Sequence, residues 1–102
     1  MFQVNEKEYD FKFTTGRLRQ VEDRIGTSIM GALQRSSGML PLSVLDAIFT
    51  LCTTETGNGY LPPQQGRKIC EQAMDELGYT AMLEHVAEAL TRDLPFLFRT
   101  QD

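Results

Sequence analysis

FQVNEKEYDFKFTTGRLRQVEDRIG, Phe2 to Gly26, changes its hydrophobic period halfway along, and that change decides the fold class. In its first half Phe2 and Val4 alternate with Gln3 and Asn5, and Tyr9, Phe11 and Phe13 alternate with Asp10 and Lys12. Successive side chains of a strand point to opposite faces, so a period of two marks strands with one buried face. The polar break Asn5 to Glu8 can turn one strand into the other. The pattern predicts an antiparallel hairpin over residues 1–13 with one aromatic face. Two strands are marginal alone, so that face must pack on something. From Thr15 the apolar residues fall at Leu18, Val21 and Ile25, a helical spacing, with Arg17, Arg19, Glu22, Asp23 and Arg24 around the rest of the helix. Gly26 is a natural stop.

Downstream the helical period persists. Thr27 or Ser28 can cap a short second helix carrying Ile29, Met30 and Leu33, which Ser36 to Gly38 stops. Ser43 is placed to cap a third, with Asp46 three residues on in a capping-box-like position. Leu45, Ile48, Phe49 and Cys52 form its stripe, and Val44, Ala47 and Leu51 widen it, so this helix is expected to be central and buried on most sides. Pro62 and Pro63 suit the start of a fourth, with Ile69, Ala73 and Leu77 inward and Cys70 and Met74 beside them. Gly78 stops it. Thr80 opens a fifth, with Met82 or Leu83, then Val86 and Leu90 inward, until Pro95. The expected fold is one α+β domain, mainly α: an N-terminal β-hairpin packed on a cluster of four to five helices over 15–93, then an apolar tail at 94–102.

The bulk numbers agree with one globular core. The chain has 102 residues, 41% hydrophobic and 24% charged. A net charge of −4 does not suit nucleic acid or anionic lipid. The charge is uneven: Lys12 to Arg35 holds five basic and two acidic residues, and Lys68 to Asp93 two basic and six acidic. No stretch approaches the ~20 apolar residues of a membrane helix. MFQVNEKEYD lacks the basic start and apolar run of a signal peptide, so a cytoplasmic location is expected. Cys52 and Cys70 form no CxxC and are expected as buried free thiols.

Site chemistry is sparse. TETGNGYLPPQQ, Thr54 to Gln65, has the outline of a calcium loop around Gly59. Its ligand positions hold Thr54, Thr56, Asn58 and Gln65 and carry no formal charge, so a Gly-rich helix-to-helix loop is expected instead. Gly16 to Arg35 has the outline of a helix-turn-helix around Gly26. Glu22 stands where the touching helices need a small residue, and Arg35 where an apolar anchor belongs, which leaves two core helices with solvated arginines as the plainer expectation. His85 has no nucleophile or acid in a recognisable motif nearby and is expected at the surface or as a cap. Glu84 and Glu88 share a helix face and are expected to be solvated. No phosphate-cradling loop occurs. No enzyme, metal or cofactor is therefore expected.

LPFLF, Leu94 to Phe98, is more suggestive. Such apolar groups either fold back on the core or the hairpin's aromatic face, or they dock another protein or another copy of this chain. Met30, Met39, Met74 and Met82 can line an adaptable groove or fill the core.

Phe2 to Ile29 resembles the start of tail assembly chaperones of long-tailed, siphovirus-type bacteriophages and prophages. In that family a strand pair around a VN-x-K-x-Y element, here Val4, Asn5, Lys7 and Tyr9, leads into a helix with a Leu…Val-Glu pattern and then a glycine, here Leu18, Val21, Glu22 and Gly26. LPLSVL from Leu40 and DELGY from Asp75 to Tyr79 also fit. Glu6 departs from the pattern, where a turn glycine is more typical. The resemblance implies a non-enzymatic protein of the bacterial host cytoplasm. It would bind the tape-measure protein and the tail-tube subunit and be absent from the mature virion. The partner-binding residues expected on that basis are Phe96, Leu97 and Phe98, then Tyr9 and Phe11. The alternatives are a small helix-turn-helix-like DNA-binding regulator and a structural tail component retained in the virion.

Overall fold

In a computed structural model that describes residues 1–35 and 39–98, the first change of period falls where the sequence puts it. Strands β1 (Phe2–Val4) and β2 (Lys7–Phe11) pair antiparallel, with Phe2 opposite Tyr9 and Val4 opposite Lys7. Phe2, Val4, Tyr9 and Phe11 are all buried on one face. The connection is a two-residue turn in which Asn5 and Glu6 both have positive φ, 51° and 68°. That geometry matches the right-handed twist of the flanking strands, and it is normally filled by Asn-Gly.

Helix α1 (Thr15–Ile25) starts at Thr14, whose Oγ1 accepts from the Arg17 amide at 3.1 Å, and ends at Gly26 with φ 76°. The short α2 (Ile29–Arg35) is capped by Ser28, whose hydroxyl accepts from the Gly31 amide at 2.9 Å. The stop expected at Ser36 to Gly38 and the last residues of the tail, 99–102, lie outside the described residues. Helix α3 (Leu42–Cys52) is central as expected, burying Val44, Leu45, Ala47, Ile48, Phe49, Thr50 and Cys52. Its start corrects the reading of Ser43 as a cap. Pro41 is the N-cap residue and no side chain caps it; the Pro41 carbonyl accepts from the Val44 and Leu45 amides at 3.0 and 3.2 Å. Ser43 is already inside the first turn.

The segment after α3 corrects a second expectation. Thr54 to Gln65 is not a bare helix-to-helix loop. It opens with strands β3 (Thr53–Glu55) and β4 (Gly59–Tyr60), which extend the hairpin into a four-stranded antiparallel sheet in the order β1-β2-β3-β4. Tyr9 pairs with Glu55 and Phe11 with Thr53, so β3 satisfies the second edge of β2. Gly57 and Gly59, with φ 87° and 79°, turn the chain between the new strands. The residues that outlined a calcium loop are used structurally. The Thr54 hydroxyl donates to the Asp10 carbonyl at 3.1 Å, and the Thr56 hydroxyl to a Glu8 carboxylate oxygen at 3.1 Å.

Helix α4 (Pro63–Leu77) buries Gly66, Ile69, Cys70 and Ala73. Leu77, expected in the same stripe, is exposed: it is the helix's last residue and overhangs the sheet beside Phe2 and Gln3. Helix α5 (Tyr79–Asp93) begins one residue before the expected Thr80, because Gly78 (φ 87°, ψ 162°) both ends α4 and opens α5. Met82, Val86, Ala89 and Leu90 point inward. A 3₁₀ turn, Pro95–Phe98, follows. The described residues thus form a mainly α domain of five α-helices with a small antiparallel sheet. The aromatic face of the sheet meets α3: the Phe11 and Phe49 rings lie 4.9 Å apart, edge to face. Cys52 and Cys70 are buried free thiols, and desolvation pushes them up to about 12 and about 11.

Candidate functional site

On one flank of α5, Leu83 and Ala87 widen the core stripe toward solvent. Leu83, Val86, Ala87 and Leu90, spaced i, i+3, i+4, i+7, line one side of an open groove of about 300 Å³. Leu33 of α2, Leu40 ahead of α3, and Phe98 form its other walls. Leu40, Val86 and Leu90 are floor residues at 1–2% exposure, whereas Phe98 is 45% exposed.

Each wall is held from behind. On the α2 side, the Glu22 carboxylate reaches across the Gly26 corner and accepts from the Ile29 amide at 2.8 Å. It thereby satisfies one of the amides that a helix N-terminus leaves unpaired. With Ile29 and Ala32 buried, Leu33 is turned to the groove half-buried. The Tyr79 hydroxyl donates to the Leu40 carbonyl, which ties the start of α5 to the segment entering α3. At the other end, Arg92 and Asp93 fasten α5 to the sheet. Arg92 donates to Asp10 at 2.8 Å, to the Phe11 carbonyl at 2.6 Å and to Asp93 at 2.7 and 2.8 Å. Asp93 in turn accepts from the Phe13 amide at 2.9 Å. The Arg92 guanidinium holds the Asp93 carboxyl below its ordinary value, with the Phe13 amide helping.

That anchorage decides how the tail is presented. The Leu94 amide closes α5 on the Leu90 carbonyl at 2.8 Å, Leu94 is buried, and Leu97 packs half-buried against the core. Phe96 and Phe98, alternating with them, stand out at 52% and 45% exposure. The two readings of LPFLF are therefore divided between its residues: Leu94 and Leu97 fold back and the phenylalanines do not. Of the five residues expected to meet a partner, Phe96 and Phe98 are accessible and Leu97 only in part. Tyr9 and Phe11 are corrected. Phe11 is fully buried and Tyr9 is 6% exposed, so their rings belong to the sheet's core face. Met82 is core, Met30 and Met74 pack partly buried against it, and Met39 is exposed.

The remaining candidates dissolve into structure. Arg17 is not a solvated arginine: it donates to the Leu51 carbonyl at 3.0 Å and lies 3.9 Å over the Tyr60 ring. Of the arginines of α1, Arg19 and Arg24 are exposed. His85 is not a cap; its ring packs 5.6 Å from that of Phe2, with Nδ1 3.9 Å from Glu88. Among the described residues no group of three or more His, Cys, Asp or Glu is placed to hold a metal ion, and no helix is long and apolar enough to cross a membrane. The roles of Glu22, Arg17 and Arg92 were not visible in sequence. Arg17 and Arg92 reach partners 34 and 81 to 82 residues away, and the Glu22 bond to the Ile29 amide, seven residues on, spans the Gly26 corner without a local motif.

No protein-family model matches the chain, and comparison with curated proteins and with solved structures finds no match.

Proposed function

We propose that this chain is a non-enzymatic tail assembly chaperone of a long-tailed bacteriophage or prophage. It acts in the host cytoplasm on the tape-measure protein and the tail-tube subunit and is released before the virion is complete. The observation that carries the reading is the groove beside α5, with Phe98 as a wall and Phe96 exposed next to it. An apolar site of this kind can hold the apolar surface of an unassembled client, and the net charge of −4 keeps the complex dispersed.

Affinity capture of the tagged protein from its native lysate, read by mass spectrometry, tests it. The expected result is recovery of a very long helical protein or a tail-tube subunit. Phe96→Ser with Phe98→Ser should end that capture while leaving the thermal midpoint within a degree or two, because both rings are exposed. Finding the protein in purified virions would overturn release and favour a retained tail component. Recovery of DNA alone, lost as salt is raised, would favour the DNA-binding regulator.

A further inference from the structure

The turn that joins β3 to β4 holds an asparagine placed to react with its own backbone. The chain has two asparagines, Asn5 and Asn58, and only Asn58 is followed by glycine. We propose that Asn58 is a site of spontaneous deamidation, through a cyclic imide formed with the Gly59 nitrogen. Asn58 and Gly59 are both exposed. The Asn58 amide donates to the Glu55 carbonyl at 2.9 Å, but among the described residues the side-chain carboxamide has no hydrogen-bond partner. Chain neighbours apart, a Cβ at Gly59 would meet no heavy atom within 4 Å, so the space beside the attacking nitrogen is open. An open hollow of about 360 Å³ on the same side admits the water that the reaction consumes. Gly59 is paired with Glu55, yet β4 has two residues and is the last strand of the sheet, so a small local opening releases the nitrogen.

The Gly59 nitrogen gives its proton to solvent and attacks Cγ of Asn58. A new C–N bond closes the imide ring, the bond from Cγ to the amide nitrogen breaks, and ammonia leaves. Water then opens the ring at either carbonyl. One opening leaves aspartate on the ordinary backbone; the other leaves isoaspartate, with the backbone running through the former side-chain carbon. One water is consumed, one ammonia is released, and nothing is oxidised or reduced. The following residue governs the rate because its side chain shields the nitrogen, and glycine has none. Asn5 precedes Glu6, whose side chain shields the same approach. Both products add a carboxylate to a chain already at −4, in the hollow that Asp10 and Glu55 also line. Isoaspartate in addition lengthens the main chain between β3 and β4 and shifts Gly59 against Glu55.

Purified protein held at mildly alkaline pH and sampled over time by peptide mapping with mass spectrometry tests this. The peptide containing Asn58 should gain one mass unit along a first-order curve and split into two isomers on chromatography. Isoaspartate in one of them is identified by enzymatic methylation of its free carboxyl. The Asn5 peptide serves as the internal control and should stay unchanged in the same digests. Asn58→Gln, at an exposed position that spares the fold, should abolish the gain, because the longer side chain closes its ring far more slowly. The same protein unfolded in urea gives the reference rate. The folded rate should lie within about tenfold of it, as an exposed turn at a fraying edge requires. A folded protein that reacts more slowly than that would overturn the inference, since the ladder would then protect the Gly59 nitrogen. So would an equal gain at Asn5, a gain that survives Asn58→Gln, or a product without isoaspartate, which direct hydrolysis of the carboxamide would leave.

Discussion

Glu6 sits in a left-handed backbone conformation, φ 68°, that a residue with a Cβ enters at a cost of roughly 1–2 kcal/mol. Glycine removes the clash and gives back part of the gain as chain entropy. Glu6→Gly should therefore stabilise the protein by about 1 kcal/mol, seen as a higher urea midpoint at an unchanged slope. Gly66 is the opposite case. A Cβ there would lie 2.4 Å from the Phe49 carbonyl oxygen and 3.0 Å from the Thr50 Cα, both backbone atoms that cannot swing aside. Gly66→Ala should destabilise by roughly 1–3 kcal/mol in the same assay, although alanine is the better helix former. The two residues differ in how visible they are from sequence. NEKE announces a turn, and Glu6 stands out where glycine is usual. Gly66 resembles any tolerated helix glycine, because the atom that forbids a side chain belongs to α3.

Elements behave the same way: those with their own period were legible and those defined by a partner were not. The β1–β2 hairpin and the core stripes of α1, α3 and α5 follow from apolar spacing. Strands β3 and β4 have three and two residues, too few to show alternation, and they exist because β2 offers an unpaired edge. The groove was half legible. LPFLF drew attention to Phe96 and Phe98, but Leu33, Leu40 and Leu83 become a site only when α2, α3 and α5 meet. Two tests belong at this scale. Glu22→Ala leaves the Ile29 amide without its carboxylate and should cost about 1 kcal/mol of stability, with Glu22→Gln milder because its carbonyl oxygen still accepts. Asp93 titrates with a lowered folded value, so its contribution is present above the unfolded value of about 3.9 and is lost as pH falls through the lower folded one. In Asp93→Asn the decline of stability between about pH 5 and pH 3, followed by chemical denaturation, should be shallower than in the parent.

At the scale of the whole molecule, both cysteines lie in the core with thiols raised to about 11 or 12, so the folded protein should resist a thiol reagent at pH 8. Two equivalents should react on unfolding, and the labelling rate under native conditions then reports how often the core opens. The bonds from Arg92 to Asp10 and to the Phe11 carbonyl join positions 82 and 81 residues apart. A ribosome delivers Asp10 long before it delivers Arg92. The sheet can recruit β3 partway through synthesis, but the end of β2 and the Phe13 amide wait for the final helix. A nascent chain stalled before residue 92 would hold its hairpin with that corner unlatched and Phe96 and Phe98 not yet made. Closure of the fold and exposure of the phenylalanines thus arrive almost together in synthesis.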